Sequence, residues 1–248
     1  MNKWNFLDTG DNLGAYNMAV DEELLARAQA GDRVPVLRFY GWNPPAVSLG
    51  RFQKIEEAVD IEACRLHGFD IVRRITGGRA VLHRHELTYS VISRTDNPLF
   101  PSHVHGTYKV IAEALLAGLR ILGISADIVS RTSRHAHLVE KRTKDPACFS
   151  SPSWYEIVVN GKKIVGSAQR RLSNAFLQHG SILIDYDPLL EAEVIPGSRT
   201  LCGITSIRQE RNSNIPLGEI KQAISQGFQS RLKIDFSLLD DPSRRRMA

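Results

Sequence analysis

Trp154-Tyr155-Glu156-Ile157-Val158-Val159-Asn160-Gly161-Lys162-Lys163-Ile164-Val165-Gly166-Ser167-Ala168 places two β-branched runs either side of an Asn-Gly pair. Asn-Gly supplies the positive φ angles of a type I′ turn, so the stretch reads as an antiparallel hairpin rather than a parallel crossover. A two-residue turn also sets the register, with Val159 opposite Lys162 and Val158 opposite Lys163. Strand alternation then puts Lys163 on the face of Trp154, Glu156, Val165 and Ser167, and Lys162 on the other. A lysine beside a turn is ordinarily solvated, so the hairpin alone assigns Lys163 no role. Residues 176–184 read as a third strand of the same sheet.

Outward from the hairpin, strand and helix patterns mix at irregular intervals. Residues 35–40 and 46–49 read as strands separated by the turn residues Asn43-Pro44-Pro45. Residues 69–73 and 87–92 read as strands flanking a glycine-containing turn. A helix is expected over residues 13–30, with Ala15, Met18, Ala19, Leu25 and Ala26 on one side and Gly31 as its stop. A short one runs from an Asp60 N-cap to Gly68 and carries Cys64 as a small core residue. The strongest periodicity spans 105–122, where Tyr108, Ile111, Ala112, Leu115, Leu119 and Leu122 form one apolar stripe before Gly123. Leu217, Ile220, Ile224 and Phe228 mark a closing helix. This mixture fits an α/β or α+β layer better than a strict βαβ repeat.

Composition narrows the class. The 248 residues are 42% hydrophobic and 24% charged with a formal charge of +5, which excludes disordered, collagenous and coiled-coil chains. Residues 110–119, the longest apolar run, contain Glu113 and reach about half of the roughly 20 residues a membrane helix needs. No leader-like apolar run opens the chain, and three cysteines at 64, 148 and 202 form no disulfide framework. A cytoplasmic protein of one domain, 1–248, is expected, with no membrane or nucleic-acid partner.

Three features carry chemistry. Arg73-Arg74-Ile75-Thr76-Gly77-Gly78-Arg79-Ala80-Val81-Leu82-His83 combines adjacent glycines, whose amides approach an anionic or carbonyl oxygen, with arginines suited to phosphate or carboxylate. The spacing is neither a Walker A loop nor a dinucleotide fingerprint, and a tight strand connection with a basic rim fits it equally. Cys148 lies in the loop-like Pro146-Ala147-Cys148-Phe149-Ser150-Ser151-Pro152, downstream of Arg131, Arg134, Lys141, Arg142 and Lys144, and such cations favour a thiolate. Lys163 is the third. The His-x-His pairs at 83/85, 103/105 and 135/137 lack companion ligands, so no metal site is expected.

Taken in order, these stretches resemble the biotin/lipoate protein ligase family, and within it the cysteine-dependent octanoyltransferases of lipoate assembly. The resemblance runs through Tyr16-Asn17-Met18-Ala19-Val20-Asp21-Glu22, Leu37-Arg38-Phe39-Tyr40-Gly41-Trp42-Asn43-Pro44 and the Arg73–Arg79 segment. It continues through Glu86-Leu87-Thr88-Tyr89-Ser90-Val91, Cys148-Phe149, Ser153-Trp154-Tyr155-Glu156 and 161–169. It implies mixed, largely antiparallel sheets with flanking helices, a catalytic fold related to class II aminoacyl-tRNA synthetases, and no separate carboxy-terminal accessory domain. It implies Cys148 and Lys163 as catalytic residues, and a medium-chain acyl pocket that engages Arg74, Thr76, Gly77, Gly78, Arg79, His83, Gly166, Ser167 and Ala168. The acyl donor it implies is octanoyl-acyl carrier protein, bearing the chain on phosphopantetheine, with no other cofactor. The acceptor is the target lysine of a lipoyl domain or glycine-cleavage H protein. The alternatives within the family are an ATP- and magnesium-dependent lipoate ligase and an amidotransferase between lipoyl-domain proteins. A non-catalytic acyl or nucleic-acid binder would also match the charge, but the basic run has no interleaved aromatic platform. One departure stands out: the family usually has an acidic residue after its motif histidine, and this chain has Arg84.

Overall fold

The computed structural model describes residues 2–130, 135, 155–198 and 203–239. Eleven strands and seven helices follow one another through these residues. Eight strands form one twisted mixed sheet. Its centre is antiparallel: β2 (Val36–Trp42), β6 (Glu86–Arg94), β10 (Ala175–Leu183), β9 (Lys162–Arg171), β8 (Ile157–Val159) and β7 (Asp127–Ile128) lie side by side in that order. Two parallel pairings extend the other edge, β1 (Asn2–Asn12) on β2 and β11 (Ile234–Leu238) on β1. A second sheet of three strands has β3 (Ala46–Leu49) between β4 (Asp70–Arg73), parallel to it, and β5 (Val81–His83), antiparallel.

Both faces of the large sheet are covered, so its central strands bury nearly every residue and alternation selects which layer a side chain meets. Leu37, Phe39, Leu87, Tyr89, Val91, Phe176 and Ile182 face α4 (Val104–Ile121) and α7 (Leu217–Leu232), forming the larger core with Ile111, Leu115, Ile224 and Phe228. The intervening positions face α1 (Gly14–Ala30), and there Leu24, Leu25 and Ala28 meet Val36, Ile92 and Leu177. Where α4 crosses α7, a Cβ on Gly227 would stand 2.4 Å from the Gly118 nitrogen and 2.5 Å from the Ala114 oxygen, so only glycine permits this approach. The short helices α2 (Ile55–Ala58), α3 (Ile61–Leu66), α5 (Pro188–Val194) and α6 (Ile207–Arg211) are connectors; the first three border the small sheet. None of the described helices is long and apolar enough to cross a membrane.

The hairpin register is the expected one at the turn, with Val159 opposite Lys162 and Val158 opposite Lys163, after which a bulge brings Ile157 opposite Val165. Cys64 is fully buried behind an Asp60 cap that accepts from the Ala63 amide at 2.9 Å. The two sheets divide the expected strands between them, and one expectation, the buried face of α1, changes. The strands at 36–42 and 46–49 belong to different sheets. So do those at 70–73 and 86–94, because the turn between them carries a strand of its own, β5, paired to β3. In α1, Ala15, Ala19 and Ala26 are exposed while Asn17 and Asp21 are buried, because that helix packs on a polar patch of the sheet.

Candidate active site

Behind α1, the sheet presents Arg38 and Tyr40 from β2, Thr88 and Ser90 from β6, and His179 and Ser181 from β10, all buried. They are polar, so each needs partners in a water-poor setting. Asp21 supplies them at the centre: its carboxylate accepts from Arg38 (2.8 Å), Tyr40 (3.0 Å), Ser90 (2.8 Å) and the Nδ1 of His179 (3.0 Å). Burial pushes the Asp21 carboxyl up, but Arg38, His179 and Ser90 together outweigh it and hold it below the usual carboxylate value. Burial lowers His179, so its imidazole is neutral at physiological pH, with Nδ1–H donating to Asp21. Its Nε2 then accepts from the Thr76 hydroxyl at 2.7 Å. Thr76 belongs to the glycine motif, which is thereby tied to the sheet.

A second histidine repeats the arrangement. His83 Nδ1 lies 2.8 Å from Glu86 Oε1, and its Nε2 lies 2.7 Å from Ser48 Oγ. The ring stacks on Trp42 with centroids 4.0 Å apart and planes 14° apart. The carboxylate at the His83 ring is thus that of Glu86, and Arg84 lies 3.7 Å from Asp187. Arg74 donates to Ser48 O (2.8 Å) and Oγ (2.9 Å) and to the carbonyls of Gly77 (3.0 Å) and Arg79 (2.6 Å). A guanidinium used in this way fixes the turn rather than lining a solvated rim. Gly78 has φ of +95°, and a Cβ on Gly50 would stand 2.0 Å from the Gly78 oxygen, so two glycines pass at closest approach.

These walls enclose a pocket of about 390 Å³, its open mouth included, lined by Met18, Tyr40, Trp42 and Val81 on the apolar side. Arg74, His83, Gly166, Ser167 and Ala168 also line it, which brings together residues from the glycine motif and from the hairpin strand. Ser167 Oγ is 2.7 Å from Tyr89 Oη, whose phenol burial pushes up to about 12. Among the remaining expected site residues, Thr76 acts through His179, Gly77 and Arg79 contribute carbonyls to Arg74, and Gly78 forms the close turn.

Lys163 stands on the same strand as Gly166 but outside the pocket wall. It is fully buried, and its Nζ donates to Glu156 Oε1 at 2.7 Å, the pairing that alternation placed on one face. Cys148 and Cys202 lie outside the described residues, as do Arg131, Arg134, Lys141, Arg142 and Lys144. Burial raises the Cys64 thiol to about 11, which makes it unreactive. Among the described residues, no group of three or more His, Cys, Asp or Glu side chains is placed to hold a metal. The sequence reading passed over Asp21, Ser48, Glu86 and His179 as site residues. Asn17 and Asp21, spaced i,i+4 among the apolar positions of a helix, were the available signal.

Residues 14–229 match the lipoyl protein ligase A/B catalytic domain. The chain is 41% identical to octanoyltransferase LipM of Anoxybacillus flavithermus over 251 residues, covering 96% of this chain and 90% of that protein. It is 39% identical to octanoyltransferase LipM of Staphylococcus aureus, again covering 96% and 90%. A crystal structure of lipoate-protein ligase A bound with ATP superposes with a TM-score of 0.79 at 26% identity, covering 98% of this chain and 92% of that one. The chain belongs to the lipoyl protein ligase A/B catalytic-domain family.

Proposed function

We propose that this chain is an octanoyltransferase of lipoate assembly that takes its acyl group from acyl carrier protein through a thioester on Cys148. The observation that carries the reading is the pocket, which has apolar walls for a medium-length chain beside the Arg74, His83 and Gly166–Ala168 polar groups. Such a site holds the acyl tail by burial and orients its carboxyl end by a few placed polar groups. Near-full-length similarity to octanoyltransferases supports the same chemistry.

The Cys148 thiolate adds to the octanoyl carbonyl, and the carrier's phosphopantetheine sulfur leaves and takes a proton. The neutral ε-amine of the target lysine, on a lipoyl domain or glycine-cleavage H protein, then adds to the new thioester. An amide forms, the amine loses a proton, and Cys148 leaves as thiolate. Both steps exchange a thioester for a bond of equal or greater stability, so no ATP is consumed. A lysine cation near the cysteine favours its thiolate and polarises the carbonyl, the role this reading gives Lys163. Backbone amides near Gly77-Gly78 or Gly166-Ser167 stabilise the oxyanion.

Intact-protein mass spectrometry after mixing with octanoyl-acyl carrier protein, without ATP, tests this. A hydroxylamine-labile octanoyl adduct on the native chain, absent from Cys148→Ala, is the expected result. Formation of octanoyl-adenylate from ATP and free octanoate, with no adduct from the carrier, would assign the chain to the ligases instead.

A further inference from the structure

A second, larger concavity lies beside the acyl pocket, and the two share Arg74 as a common wall. Its floor is apolar, from Leu25 and Ala26 of α1 with Ile75 and Leu172, and its rim carries Arg51, Arg73 and Arg170 against Glu22, the one carboxylate among the described lining residues. The Arg73 guanidinium is immobilised by the carbonyls of Gly50 (3.0 Å) and Gln53 (2.7 Å). Arg51 rests on the Phe52 ring at 5.5 Å. Neither Arg51 nor Arg170 is in an ion pair with a described carboxylate. Three guanidinium groups thus ring an apolar floor beside the buried Arg74 that holds the glycine turn, with one acid among the described lining residues to offset them, a concentration of positive charge that favours an anion.

We infer that this arginine cleft receives the phosphodiester of the donor's phosphopantetheine arm, with the arm lying over the apolar floor and its thioester end at the mouth of the acyl pocket. The inference rests on the proposed function and names the surface by which its donor is recognised. Charge decides between the two substrates. The acceptor presents a lysine amine, which arrives as a cation and is repelled by the rim arginines, whereas the donor's arm carries a phosphodiester anion that planar guanidinium groups bind in bidentate fashion. The shared Arg74 wall places that anion next to the pocket the acyl chain must enter.

The test uses Arg51→Glu/Arg170→Glu and the milder Arg51→Gln/Arg170→Gln, at positions whose side chains pair with no carboxylate among the described residues. Titration of 4′-phosphopantetheine and of pantetheine into the native chain should show at least tenfold tighter binding of the phosphorylated form, and the variants should lose that preference. Equal binding of the two ligands by the native chain, or a preference that survives in the variants, would overturn the inference even if no acyl transfer were ever seen. In the transfer assay, both variants should acylate Cys148 at least tenfold more slowly from octanoyl-acyl carrier protein and from octanoyl-phosphopantetheine, but within twofold of native from octanoyl-pantetheine. Equal losses with all three donors would place the arginines in the acyl site itself, against the inference. A loss confined to the whole carrier would mean that the cleft meets an acidic protein surface and not the phosphodiester. Absence of a cysteine adduct from any donor would refute the parent function alone.

Discussion

Lys163 is gripped on both sides of its backbone by a distant segment: its amide donates to Gly203 O at 2.8 Å, and its carbonyl accepts from Thr205 at 3.0 Å. That cover turns a turn-adjacent lysine, ordinarily solvated, into a buried cation paired with Glu156. Removing one member of such a pair strands the other charge in a poor solvent. Lys163→Ala should therefore lower stability by roughly 3–5 kcal/mol, read as a shift in urea midpoint. Lys163→Met combined with Glu156→Leu should recover most of that loss while octanoyl transfer stays absent, because the packing is restored and the cation is not. The face shared by Lys163 and Glu156 was legible in the sequence, since a period of two and an Asn-Gly turn leave no freedom. Its burial was not, because Gly203 and Thr205 arrive from a different part of the chain. The carboxylate that serves His83 was illegible for a related reason. A search beside the histidine finds Arg84, and only the path of β5 into β6 returns Glu86 to the ring.

At the scale of elements, local periodicity reads well and long-range pairing does not. The α4 stripe predicts its buried face because Ile111, Ala112, Leu115 and Leu119 repeat at helical spacing on one continuous segment. Strand β1 offered no such signal. It contains Asp8, Gly10 and Asp11, poor strand formers, and an irregularity between Asp8 and Asp11 breaks its alternation. Parallel partners far along the chain hold it in place. The crossing of α4 and α7 belongs to the same scale, since neither helix alone shows why residues 118 and 227 are glycine. Gly227→Ala should cost roughly 1–3 kcal/mol by forcing the helices apart. Thermal or urea unfolding measures this, and acylation of Cys148 below the melting range should stay near native, because the crossing lies on the face of the sheet away from the pocket.

Over the whole molecule, the Asp21 network joins α1 to β2, β6 and β10, and through His179 and Thr76 to the glycine motif of the small sheet. Its pH dependence follows from the direction of each shift. His179 titrates below its ordinary value when folded, so between about 6.5 and that lower value the unfolded chain binds the extra proton. Stability is then complete above about pH 6.5 and falls as the pH drops below it. Asp21, also lowered, adds a further loss at more acid pH, below its ordinary carboxylate value. Urea midpoints measured across pH 5–8 should show the decline, and His179→Asn should flatten its upper limb although the variant is less stable throughout. Periodicity hints at this network only through the buried Asn17 and Asp21 of α1, because its other members are scattered polar residues on β2, β6, β10 and the glycine motif. The parallel pairing of β11 with β1 bears, finally, on how the chain is made. Strand β1 emerges long before its outer neighbour, β11, which begins at Ile234. At about 5–20 residues per second, the ribosome leaves that edge of β1 uncovered for roughly ten to forty seconds. Throughout that interval its free amides and carbonyls are open to pairing with another nascent chain. That edge of β1 is thus open to misassembly during translation, and the emergence of β11 covers it.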